Sequence, residues 1–304
     1  MGWKAGIVLD NHPPVNVIPP LAARPYGVAW IGRAGDILPT LRGPMHHDVW
    51  KPELYARFRA ERSRPFFDLL AMVRRRPGMR VVDLGCGTGE LTAEAHKRLQ
   101  ARSTLGIDSS PAMLEKAVTL AEDGLSFTLG DIGRFEAPPG GYDLVLSNAA
   151  LHWLPDHPAL LERLAACAAP GGQLAVQVPA NQTHASHRLA NELAREEPFA
   201  SALQGYVRHR SVLTPVEYAL LLRRLGFAEQ EVRLQVYVHE LSEPADIVEW
   251  CRGTLLTDYE KRLPPDLWER YLDTYRERIV KAIPDERPYP YTYQRILFWA
   301  QRPR

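Results

Sequence analysis

The pattern of apolar and polar positions divides residues 80–180 into short apolar runs and longer amphipathic stretches. The apolar runs predict five strands, at 81–84, 103–107, 126–129, 142–147 and 173–178. The stretches between them have the helical period and predict helices at 91–99, 111–121 and 158–167. Strands that alternate with helices in this rhythm form a parallel sheet with helices on both faces. The sequence therefore predicts a doubly wound α/β fold.

Beyond position 180 the alternation relaxes and helical segments become more frequent. Helices are predicted near 185–197, 215–225, 244–252 and 265–281, and the segment 170–172 (Pro-Gly-Gly) before them predicts a turn. Apolar residues alternate with polar ones over 232–239, which is the period of a strand, and 295–299 is a further apolar run. These late strands add an antiparallel pair and complete a mostly parallel sheet of seven strands. The extra helices are expected to form a cap, mainly within 180–290.

Residues 1–44 show neither period and contain seven prolines. Such a segment does not bury enough apolar area to offset its ordering entropy. We therefore expect a poorly ordered extension at 1–44 and one folded domain at 45–304. Apolar positions between 54 and 73 predict two short amphipathic helices before the first strand. Because Met45 shortly precedes this patterned part, we hypothesise that translation begins there.

Composition narrows the class of function. Apolar residues make up 45% of the chain and charged residues 24%, as in ordinary soluble globular proteins. The net charge of +1 supplies no basic field for nucleic acid, which favours a small-molecule substrate. The three cysteines show no metal-ligand spacing, so we expect no metal and a reducing compartment. The sequence has no secretory pattern and no apolar run of about 18 residues, so we expect no membrane association and a cytoplasmic location.

The most specific motif lies where the first predicted strand ends. Asp83 is followed by Gly85, Gly87 and Gly89, three glycines spaced two apart. Glycine at a strand-to-helix turn permits unusual dihedral angles and lets a ligand approach the backbone. A dinucleotide turn of the G-x-G-x-x-G type would place its third glycine at position 90, where this chain has Glu90. The D-x-G-x-G-x-G spacing instead resembles the cofactor loop of S-adenosylmethionine-dependent methyltransferases. We therefore expect S-adenosylmethionine as the cofactor.

The ends of the first four predicted strands carry the other cofactor candidates. The resemblance places the carboxylate of Asp83 near the ammonium group of the cofactor. Asp108, at the end of the second strand, can accept both hydrogen bonds from a ribose diol. Asp131 can bind the adenine amino group while Ile132 packs on the adenine ring. The candidate cofactor-binding residues are Asp83, Gly85, Gly87, Gly89, Asp108, Ser109, Asp131, Ile132 and Asn148.

The end of the fourth predicted strand, at 147–154, is expected to face the transferred methyl group. Amine methylators of this class carry there an acidic or amide residue, two prolines and an aromatic residue, and this run is absent. Methyl transfer to an adenine or glutamine nitrogen is therefore disfavoured. His152 can contact an anionic substrate or act as a base, or it can be a packed, hydrogen-bonded residue. Trp153 is interpreted as a pocket wall or a core residue rather than a catalyst.

Four longer segments carry a more particular resemblance, and they lie at 50–70, 147–157, 170–179 and 248–254. The first includes Trp50, Pro52, Tyr55, Phe58, Glu61, Arg62, Arg64 and Pro65, and the last reads Val-Glu-Trp-Cys-Arg-Gly-Thr. Together these segments resemble trans-aconitate methyltransferases over most of residues 50–300. The resemblance implies a class I, Rossmann-like methyltransferase. It also implies that the product is the monomethyl ester of a small polycarboxylic acid, trans-aconitate above all.

Ester formation from a carboxylate asks little of the protein. A carboxylate has an unperturbed pKa of about 4, so it is ionised at neutral pH and attacks a sulfonium methyl group without a general base. The protein must align the reacting atoms, exclude water and hold the negative charges, most naturally with arginine forks. The candidate substrate and catalytic residues are Tyr55, Arg62, Arg64, His152, Trp153, Arg252, Tyr259 and Arg295. Each of these arginines and tyrosines can instead be a surface or structural residue.

One segment departs from the pattern of the family that this chain resembles. In that pattern a proline and a phenylalanine come shortly before an arginine that opens the last strand. This chain reads Tyr-Thr-Tyr-Gln-Arg at 291–295 and lacks the proline, which places the identity of the acid in doubt. Three alternatives therefore stay open. They are carboxyl methylation of a malonyl group on a carrier protein, methylation of a secondary metabolite, and a cofactor-binding partner protein without catalysis. We expect a monomer or a weak dimer.

Overall fold

The computed structural model describes residues 59–208 and 211–304, with side chains from residue 63 onward. The expected extension at 1–44, the hypothetical start at Met45 and the first of the two predicted N-terminal helices lie outside these residues. Tyr55 also lies outside them, and the side chain of Arg62 is not described.

Seven strands of the described part form one sheet. They are β1 (Arg80–Leu84), β2 (Ser103–Asp108), β3 (Leu125–Leu129), β4 (Tyr142–Asn148), β5 (Ala168–Pro179), β6 (Glu229–Leu241) and β7 (Tyr289–Gln301). Their order across the sheet is β3-β2-β1-β4-β5-β7-β6. The first five strands are parallel, whereas β7 is antiparallel to both β5 and β6. The prediction of a doubly wound, mostly parallel sheet of seven strands is confirmed.

The helices follow the predicted alternation. In the described part they are α1 (Arg59–Met72), α2 (Glu90–Leu99), α3 (Pro111–Ala117), α4 (His157–Cys167), α5 (Ala185–Leu193), α6 (Phe199–Ala202), α7 (Pro215–Arg224), α8 (Asp246–Arg252), α9 (Thr257–Glu260) and α10 (Pro265–Ala282). Short 3₁₀ turns lie at Val118–Leu120, Ile132–Arg134 and Leu151–Trp153. The first of these turns continues α3 to about the predicted end of that helix.

The two faces of the sheet pack against different helices because successive side chains of a strand point to opposite faces. On one face, Val81 of β1 packs in a cluster with Phe66 of α1. On the other face, Val82 packs in a cluster with Leu161 of α4 and Leu221 of α7. Strands that are apolar on both faces are typical of a parallel sheet covered on both sides.

The antiparallel pair of β6 and β7 extends past the rest of the sheet and packs against the cap. The pairing of β5 with β7 ends at Pro179 and Arg295, whereas β6 pairs with β7 as far as Tyr289. The unshared half of β7 packs with α5, α8, α9 and α10 in a separate apolar cluster. The Tyr271 hydroxyl in this cluster donates a hydrogen bond to the carbonyl oxygen of Ala190 over 2.6 Å. Arg295 therefore lies where the pairing of β5 with β7 ends and the part of β7 that packs against the cap begins.

The structure differs from the sequence prediction at 170–172, where the Pro-Gly-Gly segment predicts a turn. These residues belong to β5, which begins at Ala168, and the pairing of β4 with β5 shifts register between Tyr142 and Leu144. Gly171 has a φ of +68° and donates its N–H to the carbonyl oxygen of Pro303 over 2.8 Å. The predicted turn is therefore an irregularity within a longer strand.

The alternation that predicts β6 is confirmed, and the structure exposes its aliphatic side. The exposed aliphatic residues are Leu234, Val236 and Val238. Tyr237 and His239, which lie between them, are buried. Tyr237 donates a hydrogen bond to Asp68 of α1 over 2.8 Å, and His239 stacks on Trp250 of the cap. These polar and aromatic partners, rather than hydrophobicity alone, decide which face of this edge strand is covered.

Candidate active site

The glycine turn begins where β1 ends and leads into α2. The N–H groups of Gly85 and Cys86 donate to the carbonyl oxygen of Ile107 on β2 over 2.8 and 3.0 Å, which fixes the turn to the neighbouring strand. Gly85 has a φ of +82°, and a Cβ there would collide with the side chain of Ala150. Gly87 has a φ of +56°, and apart from its chain neighbours no atom of the described residues lies within 4 Å of the position that its Cβ would take. The turn therefore leaves open space beside Gly87 that a ligand can fill.

Helix α2 begins directly after this turn. Its N-cap is Gly89, in a left-handed conformation, and no side chain makes a capping hydrogen bond there. The first N–H groups of an α-helix have no partner within the helix and carry a partial positive charge. An anionic group such as a carboxylate is therefore favoured at this end of the helix.

The acidic residue at the end of β2 is held next to the glycine turn. One oxygen of the Asp108 carboxylate accepts a hydrogen bond from the Gly87 N–H over 2.8 Å. The other oxygen accepts one from the Ser110 N–H over 2.9 Å, and the Ser110 hydroxyl in turn caps α3 at Met113. Each carboxylate oxygen can accept a further hydrogen bond. Asp108 therefore has the position and the capacity to receive a diol.

Asp83 lies beneath the turn at the end of β1. It is buried, and one carboxylate oxygen accepts a hydrogen bond from the Thr92 hydroxyl over 2.6 Å. The other oxygen, Oδ1, is buried and has no hydrogen-bond partner among the described residues. Burial raises the pKa of this carboxyl to about 6, the Thr92 hydrogen bond opposes the shift, and the charge of Asp108 adds to it. A buried carboxylate with an unpartnered oxygen suits a cationic group such as an ammonium.

The remaining predicted adenine-binding residues lie at the same edge of the sheet. Asp131 follows β3, and its Oδ1 accepts a hydrogen bond from the Gly133 N–H over 2.8 Å. The Ile132 Cδ1 lies 4.0 Å from the position that a Cβ on Gly85 would take. Ser109 is exposed between the end of β2 and the start of α3. The structure thus brings these candidates to the carboxyl ends of β1, β2 and β3, where an open parallel sheet leaves its crevice.

A pocket opens beside Asn148, the last residue of β4. The Asn148 side-chain oxygen is buried, and no group in the described part of the chain makes a hydrogen bond to it. The walls come from the sheet edge, from the loop after β4 and from the cap. The lining residues are Asn148, Ala149, His152, Trp153, Pro179, Gln182, His187, Asn191, Arg208, Ser211, Val212, Trp250, Thr254, Leu255, Tyr293 and Arg295.

Two arginines give this pocket its charge. The Arg295 Nη1 lies 3.4 Å from Gln177 Oε1, and its guanidinium carbon is 4.8 Å from the centre of the Tyr293 ring. Arg208, in the segment between α6 and α7, places its guanidinium carbon 4.6 Å from the centre of the Trp153 ring. No Asp or Glu is among the described residues that line the pocket. The pocket is therefore positively charged and suits an anion.

The two histidines of the pocket are neutral. Burial holds the pKa of His152 well below its ordinary value, and the charges of Arg208 and Arg295 lower it further. Burial and Arg208 lower the pKa of His187 to about 3. The His152 Nδ1 is buried, and within residues 59–208 and 211–304 it has no hydrogen-bond partner. His152 can therefore make one neutral hydrogen bond to a ligand, and nothing in its surroundings favours the charged form.

The structure brings three of the predicted substrate residues together, and these are His152, Trp153 and Arg295. The other described candidates do not line the pocket. The Arg64 guanidinium lies 5.7 Å from the centre of the Tyr237 ring, and Arg252 forms a 3.6 Å ion pair with Glu249 one turn earlier in α8. An arginine that is held by a neighbouring carboxylate on its own helix has less need of an anionic ligand.

Tyr259 lies behind the pocket wall instead of in it. It is fully buried and donates a hydrogen bond to Asn191 Oδ1 over 2.6 Å. Its hydroxyl oxygen accepts one from the Arg208 N–H over 3.2 Å. Both partners line the pocket. Tyr259 is thus a positioning residue for two pocket residues.

Sequence reasoning missed Arg208, His187, Asn191 and Gln182 as pocket residues. His187 and Asn191 are four residues apart in α5, so they share one face of that helix. Two polar residues on one face, beside the buried apolar residues of α5, were an available signal. Arg208 belongs to no helix or strand, and only its contacts in the folded protein reveal its position.

Within the described ranges, no helix is long and apolar enough to cross a membrane, and no group of three or more His, Cys, Asp or Glu residues could hold a metal ion. A doubly wound sheet, a glycine turn after β1, an acidic residue that reaches that turn from β2 and a pocket beside β4 together define a class. The protein is a Rossmann-like methyltransferase of the S-adenosylmethionine-dependent class, and the expected cofactor and enzyme class are confirmed.

Comparison with known proteins defines the family. A family model described as a methyltransferase domain matches residues 55–232. A trans-aconitate 2-methyltransferase from Deinococcus radiodurans is 45% identical over 84% of this chain and 99% of its own length. Similarly named proteins are 42% identical in Rhizobium meliloti, over 77% of this chain and 91% of theirs, and 35% identical in Mycobacterium tuberculosis, over 79% and 89%. The chain belongs to the trans-aconitate 2-methyltransferase family.

Solved structures agree on the fold at much lower sequence identity. The YcgJ protein from Bacillus subtilis superposes with a TM-score of 0.55 at 17% identity, over 79% of this chain and 99% of that one. A phosphoethanolamine N-methyltransferase from Haemonchus contortus, solved with S-adenosylhomocysteine, has a TM-score of 0.50 at 16% identity, over 79% and 53%. These structures are similar in fold, and their identities are too low to transfer a substrate.

Proposed function

We propose that this methyltransferase transfers the methyl group of S-adenosylmethionine to one carboxylate of a small polycarboxylic acid, and that this acid is trans-aconitate. The observation that carries the proposal is the pocket beside Asn148, which is lined by two guanidinium groups and by no carboxylate among its described residues. Such a pocket suits a ligand with several negative charges. The names of the relatives support trans-aconitate as the acid.

The residues around the glycine turn are proposed to hold the cofactor. When bound, the cofactor would supply a methyl group on a sulfonium sulfur, and a carboxylate oxygen could attack the methyl carbon in line so that the sulfur leaves as a neutral thioether. We assign the unpartnered oxygen of Asp83 to the cofactor ammonium and the carboxylate of Asp108 to the ribose diol. Asp131 and Ile132 are assigned to the adenine. The open space beside Gly87 supports this placement.

The residues of the pocket are proposed to orient the acid. The reacting carboxylate is ionised at neutral pH, so the site needs no general base and His152 stays neutral. Arg295 and Arg208 bind carboxylates, and a hydrogen bond from His152 helps to fix the reacting one. Trp153, which is 37% exposed, excludes water from one side of the pocket. Tyr55 and Arg62 remain predictions for the same acid.

A labelled methyl donor tests this function. The purified protein is incubated with methyl-labelled S-adenosylmethionine and a panel of polycarboxylic acids, and mass spectrometry identifies the esters. We expect one methyl group on trans-aconitate and less or no transfer to monocarboxylic acids of similar size. Turnover of a malonyl-carrier substrate or an amine, without any turnover of the acids, would remove the assignment.

The setting of the reaction is proposed as well. We infer that the protein acts on a free small molecule in the cytoplasm, without nucleic acid, as a monomer or a weak dimer. The net charge of +1 supports a free small molecule over a polyanion. Sedimentation velocity at rising protein concentration measures the oligomeric state, and a concentration-independent dimer would contradict the proposal.

A further inference from the structure

Arg208 is fixed in the pocket wall by contacts of two kinds. Its Nη1 donates hydrogen bonds to the carbonyl oxygens of Thr254 and Leu255, each over 3.2 Å. Its guanidinium plane lies near the ring of Trp153, 4.6 Å from the ring centre. The side chain is only 18% exposed. A planar guanidinium that is held at one nitrogen and against one ring presents its remaining N–H groups in a defined direction.

The charge of Arg208 is only partly balanced by the protein. Asp258 lies 3.6 Å from its Nη1 and is not among the described residues that line the pocket. The same carboxylate also lies 4.0 Å from Arg262 and accepts a 3.4 Å hydrogen bond from Tyr206. One carboxylate is thus shared by two arginines. The pocket side of Arg208 retains positive potential, which an anionic ligand can satisfy.

The two pocket arginines belong to different parts of the molecule. Arg295 stands in β7 opposite Pro179, two residues beyond Gln177, which pairs with Asn148. Arg295 therefore lies near the carboxyl ends of β4 and β5, close to the proposed site of methyl transfer. Arg208 is bound to the cap through Thr254 and Leu255. The two guanidinium groups thus reach one pocket from two parts of the molecule, which suits a ligand that carries charge at more than one point.

A guanidinium fork on the reacting carboxylate would oppose its attack, because the fork stabilises the charge that the attack consumes. An arginine that lies away from the carboxyl end of β4 and binds another carboxylate of the acid does not oppose the attack. We propose that Arg208 determines specificity by binding a carboxylate of the acid that is not methylated, so that the enzyme prefers polycarboxylates over monocarboxylates. This inference rests on the proposed function, since it names the part of the site that selects the acid.

Three variants and four acids test the proposal. The variants are Arg208→Gln, the charge-balanced double variant Arg208→Gln with Asp258→Asn, and the control Arg188→Gln, whose exposed arginine pairs with Glu192 on α5 and does not line the pocket. The acids are trans-aconitate and its three monoamides, in each of which one carboxylate becomes a neutral amide. Thermal melting and cofactor affinity establish that each variant is folded, and the double variant removes the excess negative charge that Asp258 would otherwise leave beside the pocket.

We expect both Arg208 variants to raise the KM for trans-aconitate about ten- to a hundred-fold, with little change in kcat. For the monoamide that lacks the carboxylate bound by Arg208, the variants and the native protein should have nearly the same KM. Arg188→Gln should leave all four KM values unchanged. An unchanged KM for trans-aconitate, or an equal loss for every acid, would overturn the role of Arg208.

Calorimetry separates this proposal from the proposed function. Trans-aconitate is titrated into protein that is saturated with S-adenosylhomocysteine. If the native protein binds trans-aconitate without methylating it, and Arg208→Gln weakens that binding, the function is wrong and the carboxylate site stands. If the native protein methylates the acid and Arg208→Gln binds it equally well, the function stands and the site is wrong. If the native protein does not bind the acid, both proposals are wrong.

Discussion

The carboxylate of Asp108 accepts a hydrogen bond from the N–H of Gly87 over 2.8 Å, which ties the end of β2 to the turn that follows β1. The contact fixes both the direction of the carboxylate and the conformation of the turn. It leaves further acceptor capacity on each oxygen. The geometry of the proposed ribose site therefore exists without a bound cofactor, and we expect that little ordering is needed on binding.

Asp108→Ala is expected to weaken the affinity for S-adenosylmethionine by about 1–3 kcal/mol, because the ribose diol loses its acceptor. Isothermal titration calorimetry measures the change. Asp123→Ala, which removes an exposed carboxylate from the loop before β3, is a matched control and should bind like the native protein. An Asp108→Ala protein with native affinity would show that the ribose lies elsewhere.

Two neighbouring glycines are expected to respond differently to the same substitution. In Gly85→Ala the new methyl group collides with Ala150 in a left-handed conformation, so we expect the free energy of unfolding to fall by about 2–4 kcal/mol. In Gly87→Ala the methyl group enters open space, so the loss should be about 1 kcal/mol, from the backbone alone. Urea denaturation measures both.

Cofactor affinity should be sensitive to Gly87→Ala, although the free energy of unfolding changes little in this variant. If the cofactor fills the space beside Gly87, Gly87→Ala weakens its affinity at least about ten-fold while the fold stays intact. Equilibrium dialysis with the labelled cofactor measures this affinity. Native affinity in a folded Gly87→Ala protein would place the cofactor away from the turn.

The sequence was sufficient to predict the sheet and to bring the candidate cofactor residues to one end of its strands. Apolar runs that end in Asp83, Asp108 and Asn148 predict strands, and the carboxyl ends of parallel strands meet at one edge, so the candidates had to lie close together. Local patterns decide this part of the molecule, because each strand and the turn after it are contiguous in sequence.

The acid pocket was less predictable because its residues come from distant segments. Arg208 and Arg295 are 87 positions apart in the numbering and share no motif. Arg252 lies in a segment that resembles the family, yet its helix turns it toward Glu249. The segment at 170–172 misled for a different reason, since a Pro-Gly-Gly sequence is compatible with a bulged strand when a neighbouring backbone accepts its hydrogen bonds. Tertiary contacts outweigh local preference at these positions.

The raised pKa of Asp83, about 6, predicts a pH dependence with a definite sign. An ordinary Asp has a pKa near 3.8, so between pH 3.8 and 6 the folded protein binds more protons than the unfolded one. The free energy of unfolding therefore falls as the pH rises through this window, by up to about 1 kcal/mol per pH unit. Asp83→Asn should remove this contribution and stabilise the cofactor-free protein at neutral pH. Denaturation on both sides of pH 6 tests the sign.

Cofactor affinity should also depend on the protonation of Asp83, but it should rise with pH, whereas the free energy of unfolding falls. The cofactor ammonium requires the ionised carboxylate, so the native affinity should fall up to about ten-fold per pH unit below pH 6. Asp83→Asn should bind weakly at every pH and lose this dependence. Calorimetry across the range decides the matter, and a native affinity that is flat through pH 6 would show that Asp83 does not meet the ammonium.

The last prediction concerns Tyr259, which holds Asn191 and the backbone of Arg208 from behind the pocket. Tyr259→Phe keeps the ring and its packing but removes both hydrogen bonds. We expect the free energy of unfolding to fall by about 1–2 kcal/mol and the KM for the acid to rise about three- to ten-fold, because the pocket wall is less well ordered. The affinity for S-adenosylmethionine should not change, since neither partner belongs to the glycine turn. Steady-state kinetics with each substrate varied in turn measures this difference. Tyr271→Phe, which removes a 2.6 Å hydrogen bond to Ala190 in the same apolar cluster, is the control. It should lower the free energy of unfolding by a similar amount and leave the KM for the acid unchanged. If the KM for the acid rises equally in both variants, the effect of Tyr259→Phe comes from a less stable cap and not from the loss of its contacts with Asn191 and Arg208.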